Sequence, residues 1–214
     1  MADSPDFAAG GTDLQAVQRK RKLVLGAGIA LWAALALLTR SRWQEEAPGL
    51  HALIEGAGVL AILVCIFGRT WCTLYIGGHK KRELVTEGPY SVVRNPLYVF
   101  TAFGAFGIGA QTGSLLVAAA LAAATLAVFH VVALREEAFL AQAFPQAFAA
   151  YAARVPRFWP RPSQWREAEE LRVRPHLVRR TFLDASLFLL AVPAADLLDG
   201  LARSAHLPVL AYLP

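Results

Sequence analysis

The chain has 214 residues, of which 56% are hydrophobic and 17% charged, and its mean hydropathy is +0.43. A soluble domain carries about 25% charged residues, so this composition, with its apolar residues in long blocks, excludes an ordinary water-soluble globule and indicates an integral membrane protein. The net charge of +5 and the pI of about 9.6 fit basic loops on one face of a membrane; nucleic-acid binding is excluded because no reading motif accompanies the charge.

Residues 1–18 are small and polar and are expected to form a loose cytoplasmic tail. Arg19-Lys20-Arg21-Lys22 then precedes an apolar run, predicted as a first span over about 23–39. It resembles a signal peptide, but no small-residue cleavage site precedes the next polar stretch, so it reads as a retained span. Trp43 fits an interfacial aromatic in the loop that follows. A second span begins near Leu50, and its helical pattern continues to about Ile76. The two membrane helices thus occupy 19–77. Cys65 and Cys72, seven residues apart in that helix, suit neither a CxxC motif nor a disulfide framework, and no cluster supports a metal site.

The segment "GGHKKRELVTEGPYSVVRNP" is polar, and Gly88-Pro89 marks a turn within it. Pro96 is suited to open a third span ending near Ala110, and "QTGS" is a tight turn into a fourth span over 115–134. So short a turn makes 96–134 an antiparallel hairpin, rich in the Ala and Gly that let helices approach closely in lipid. Residues 135–160 have helical apolar spacing and are expected to form an interfacial helix that extends span four. A basic, proline-punctuated linker follows over 161–180, and 181–201 is a fifth span or re-entrant helix, interrupted by Asp184, Pro193 and Asp196, in the final region 181–214. Lys and Arg concentrate on one side of this five-span arrangement, with Arg40, Arg42 and Arg203 on the other. That places the N-terminus, the 78–95 loop and the 135–180 region in the cytoplasm, for a protein of the bacterial inner membrane.

The hairpin brings the loop before span three beside the segment after span four. Together they offer Tyr90, Arg94, Asn95, Tyr98, Glu136, Glu137, Tyr151 and Arg157. Both signs of charge, aromatic rings and loop amides suit a polar, zwitterionic, nucleotide-like ligand. Elsewhere, Glu55 sits one turn after His51 and is expected to pair with it structurally, and His130 is expected to be a helix-packing residue.

"LVTEGPYSVVRNPLY" and the later Glu136-Glu137, Phe144, Tyr151 and "VPRFWP" resemble the paired motifs of the isoprenylcysteine carboxyl methyltransferase family, over about residues 69–160. The resemblance implies an all-α integral membrane enzyme of about five transmembrane helices, with 78–160 as its catalytic core. It implies S-adenosylmethionine as cofactor, in a cytoplasmic pocket formed by the loop before span three and the segment after span four. A tunnel toward the bilayer would admit a lipophilic acceptor. The positions matching the family's cofactor contacts are Arg82, Leu84, Val85, Tyr90, Asn95, Pro96, Leu97, Tyr98 and Glu136. Arg94, Arg135 and Glu137 are the candidates for a catalytic or substrate role. "PRFWP" and Tyr151 are expected to clamp the tail over the pocket.

Two positions depart from the family pattern. Asn95 stands where the family has His, which excludes a mechanism using that imidazole as a base. Val132 stands where eukaryotic members carry an arginine implicated in substrate, so that anchor is missing unless Arg135 or Arg94 replaces it. The expected reaction is methyl transfer to a membrane-partitioning acceptor, foremost a carboxylate giving a methyl ester. The alternatives are N- or S-methylation of a phospholipid or small molecule, and a non-catalytic scaffold or transporter subunit that keeps the fold.

Overall fold

A computed structural model of the chain describes residue 26 and residues 28–77 and 83–214. The expected tail over 1–18 lies outside the described residues. The first span is seen as α1, Gly28–Leu38. It leads into a three-residue strand β1, Thr39–Ser41, a short helix α2, Trp43–Glu46, and the long helix α3, Pro48–Ile76. Proline at the start of α3 costs no hydrogen bond there, and Gly77 ends it by donating its amide N–H to Thr73. After the loop come α4, Pro89–Val92, then α5, Pro96–Ala110, and α6, Leu115–Ala143. The remainder is α7, Pro145–Arg154, a short 3-10 turn, then α8, Pro175–Ser186, α9, Ala191–Ser204, and a strand β2, Ala211–Leu213.

The protein is all-α and membrane-type. Three apolar runs are long enough to cross a bilayer: Pro48–Ile76, Leu115–Ala143 and Pro175–Ser204; Gly28–Leu38 and Pro96–Ala110 are shorter. The helix α6 has 29 residues, about 43 Å at 1.5 Å each, against a hydrocarbon core of about 30 Å. The expected end at residue 134 is where its hydrophobicity stops, but the helix runs on to Ala143 and carries Arg135 to Glu137 out of the apolar layer.

The C-terminal run starts at Pro175, six residues before the expected start of span five. It contains a 3-10 stretch, Leu187–Leu190, between α8 and α9. Pro193 explains it: the ring has no N–H and crowds the carbonyl four residues back, at Leu189.

Packing centres on α3, which lies against α5 and α8, while α5 lies against α6. The α3–α5 contact is made backbone to backbone. A Cβ at Gly107 would stand 2.5 Å from the Gly58 carbonyl oxygen, and one at Gly58 would stand 2.7 Å from Ala110 Cβ. Small residues therefore set how near the two helices lie, as expected in lipid. Between α5 and α6, Gly113 takes φ of 68° and Ser114 caps α6 by accepting from the Val117 amide at 3.3 Å.

The two strands were not foreseen; the 40–49 stretch reads only as a loop. β1 and β2 pair in parallel, with Thr39 opposite Ala211 and Ser41 opposite Leu213. Ser114 donates to the Pro214 carbonyl at 2.7 Å, so the C-terminal residues are tied to the turn between α5 and α6.

Candidate functional site

At the other end of the hairpin, the loop before α5 and the residues after α6 meet as the sequence predicts. The Arg94 amide donates to the Pro156 carbonyl at 2.8 Å, and the Arg161 amide to Val92 at 3.0 Å. Tyr151 Oη donates to the Tyr90 carbonyl at 2.8 Å. Gly88 makes the turn possible: its φ is 56°, and a Cβ there would meet the Tyr75 ring at 2.2 Å.

The centre of this junction is Glu137. Arg94 Nη1 donates to its Oε2 at 2.8 Å, and Arg157 grips both oxygens, Nε to Oε1 at 3.0 Å and Nη2 to Oε2 at 2.9 Å. Asn95 Nδ2 adds a bond to Oε1 at 3.2 Å and a longer one to the Arg157 carbonyl at 3.4 Å. Two arginines and an amide thus satisfy one buried carboxylate. Hydrogen bonding to Glu137 holds the Arg157 guanidinium above its usual range. Asn95 precedes α5 but does not cap it, because its amide is taken by Glu137.

Its neighbour Glu136 points elsewhere. Tyr98 Oη donates to Glu136 Oε2 at 2.8 Å, and the Tyr98 ring stacks on Phe129 with centroids 4.3 Å apart. Glu136 is exposed and Tyr98 half-buried, so this pair is reachable from outside the protein where the Glu137 cluster is not. Arg135 is exposed beside it and has no ion pair among the described residues.

The remaining expected cofactor positions divide between two apolar clusters. Val85, Leu97 and Tyr90 gather around Cys72 and Tyr75, while Leu84 packs with Phe148, Tyr151 and Val155. Pro96 is fully buried. Arg82 lies outside the described residues. Burial pushes the Tyr90 phenol well above its usual range, and Tyr151 is raised for the same first reason. The Tyr90 hydroxyl is buried without a hydrogen-bond partner. His51 Nε2 meets Glu55 Oε1 at 3.2 Å, the expected structural pair, and His130 packs against the Phe158 ring.

Sequence reasoning missed a cleft of about 330 Å³ beside Leu84 and Val85. Its lining includes Tyr75, Glu83, Glu87, Glu170 and Arg172, so acidic side chains outnumber the basic one. Part of this lining comes from a strap, residues 161–174, laid along the loop. The Gly88 amide donates to the Arg166 carbonyl at 2.7 Å, Tyr75 Oη to Glu167 at 2.8 Å, and Trp165 stacks on Trp71 at 5.3 Å. The stretch reads as a basic linker because arginines are spaced along it; the acidic "EAEE" within it was the available signal.

Residues 53–147 match the family model for phospholipid methyltransferases. The chain is also 42% identical over 156 residues to the cobalt-zinc-cadmium resistance protein CzcN of Cupriavidus metallidurans, covering 73% of this chain and 71% of that protein. The chain belongs to the phospholipid methyltransferase family. A second relative is the nickel-cobalt-cadmium resistance protein NccN of Alcaligenes xylosoxydans xylosoxydans, 36% identical over 181 residues and 84% of each chain. No solved structure matches. The family match contains the loop, the hairpin and both glutamates, and ends before the strap and the C-terminal run.

Proposed function

We propose that the protein transfers a methyl group from S-adenosylmethionine to an acceptor dissolved in the bilayer. The observation that carries this reading is the accessible Tyr98–Glu136 pair, inside the family match and at the same hairpin end as the acidic cleft. The residues fit such a cofactor. Glu136 is a carboxylate able to accept from hydroxyls or an ammonium group. The buried Tyr90 hydroxyl lacks a partner that a ligand could supply. Glu83, Glu87 and Glu170 make the cleft favourable for a cation. The cofactor, when bound, supplies a methyl group on a cationic sulfonium. The protein's part is to orient it, exclude water and admit the acceptor from the lipid side.

A carboxylate acceptor is already a nucleophile and needs no base, consistent with an amide at Asn95. Arg94 and Glu137, expected as catalytic candidates, hold each other in this reading and position the loop rather than touch substrate. A second acceptor class, a phospholipid amine, is favoured by the family description. The relatives' names further suggest a methylation that serves cells exposed to divalent metals. Among the described residues no three His, Cys, Asp or Glu side chains gather as a metal site, so the reading routes nothing through a bound metal.

The test is calorimetry with S-adenosylhomocysteine on the purified protein. Binding is expected, and Glu136→Ala should weaken it about tenfold or more, the worth of a hydrogen bond to a charged group. Unchanged affinity would remove Glu136 from the site, and no binding by the wild type would sink the methyl-transfer reading.

A further inference from the structure

One cation inside the bundle has no use in the site described above. Arg69 lies in α3, seven residues before its end, and is only partly exposed. Its Nη1 donates to Thr101 Oγ1 of α5 at 2.6 Å, and its Nε is buried with no hydrogen-bond partner. It forms no ion pair with any described residue. The arginines 94 and 157 share Glu137, and 40 and 203 share Asp199, so Arg69 differs in having a neutral hydroxyl as its counterpart.

A guanidinium within an apolar helix without an anion is costly. Arginines near helix ends usually avoid the cost by reaching for water. Arg69 is badly placed for that. Helical side chains lean toward the N-terminus, here away from the nearer end of α3. Thr101 then holds the group at the α3–α5 seam.

The surroundings describe what would complete it. Thr73, one turn along α3, faces Thr181 of α8 at 3.2 Å between hydroxyl oxygens, so three helices bring hydroxyls to this seam. Toward the N-terminus of α3 the seam turns apolar, with buried Cys65 and Ile66, and with Phe188 closed over Gly104. Toward the C-terminus, Cys72 joins the cluster holding Tyr90, Val85 and Leu97. Arg69 therefore stands about one helical turn, roughly 4.5 Å, deeper than residues proposed to hold the cofactor.

We infer that Arg69 is the anchor for an oxyanion, a carboxylate or phosphate, on the lipophilic acceptor. Its head would sit at the α3–α5–α8 seam and its hydrocarbon along the apolar continuation. The inference rests on the methyl-transfer reading for calling the ligand an acceptor. It answers the missing arginine at Val132 with one from a different helix. Thr181 lies outside the family match, so acceptor choice belongs to a part of the chain that the family model does not cover.

The test uses the full chain in neutral maltoside micelles, with dodecanoate, dodecyl phosphate and uncharged dodecanol as probes and thermal unfolding as readout. At least one oxyanion probe should raise the unfolding temperature of the wild type where dodecanol does not; the carboxylate and phosphate arms show which head group is preferred. Arg69→Gln should need about tenfold more probe for half the shift. If that variant does not fold, Arg69→Lys decides: losing the planar fork while keeping the charge should cost about threefold. No oxyanion-specific shift in the wild type overturns the inference, as does equal probe response in the deciding variant. S-adenosylhomocysteine affinity is measured in parallel. Its absence in the wild type defeats the methyl-transfer reading and leaves the oxyanion site standing, whereas Arg69→Gln that folds should keep it within about twofold.

Discussion

The two ends of the α5–α6 hairpin each carry a shared carboxylate, and they differ in what surrounds it. At one end Glu137 is held by Arg94, Arg157 and Asn95, with only 10% of its side chain exposed. At the other, beyond the turn, Asp199 is held by Arg40, Arg203 and Gln44 with 29% exposed. The donor sets are alike: two guanidiniums and an amide. The difference is solvent. Water can replace a lost partner at Asp199 and cannot at Glu137, so the first cluster is a clasp and the second a structural centre. The clasp ties α1, β1 and the C-terminal run, all outside the family match; the centre fixes the loop and tail that flank the proposed site.

Removing each carboxylate gives the largest contrast. Glu137→Ala is predicted to cost about 3–5 kcal/mol by leaving two guanidiniums unpaired, against about 1 kcal/mol or less for Asp199→Ala. Thermal unfolding in detergent reads both. Equal losses would mean that burial does not separate the two ends.

A smaller effect is predicted at Asn95, which contributes to the centre without charge. Asn95→Leu should cost about 1–3 kcal/mol, because it leaves a Glu137 oxygen and the Arg157 carbonyl short of a donor. Asn95→His should recover much of that loss, since an imidazole N–H donates too. If Leu and His are equally stable, the amide bonds to Glu137 carry no weight and the residue's role lies elsewhere.

Tyr90→Phe should change stability least, by less than about 1 kcal/mol, since the buried hydroxyl has no protein partner to lose. Affinity for S-adenosylhomocysteine should nevertheless fall if a ligand meets that hydroxyl. The same variant tests a pH effect. Burial raises the phenol above a free tyrosine's 10.0, so its stabilising contribution is intact below pH 10.0 and is lost as pH rises toward the folded value. Alkaline unfolding of Tyr90→Phe should therefore begin at higher pH than the wild type. An unshifted alkaline edge would show that Tyr90 ionisation does not govern it.

What the sequence by itself determined is what short-range physics writes into it. The apolar blocks gave the helices, Pro96 opened α5, and the four-residue turn 111–114 forced the hairpin that brings loop and tail together. It also paired His51 with Glu55, one turn apart on one helix. Only the tertiary structure decided between the adjacent glutamates. Successive helical residues point about 100° apart, so Glu137 turns to Arg94 and Arg157 while Glu136 turns to Tyr98, and nothing local says which faces inward. The same holds for the strap on Tyr75, for β2 beside β1, and for Arg69 against Thr101. Each joins segments well separated along the chain, and such a partner is chosen by the way whole helices pack, which no stretch of the sequence specifies by itself.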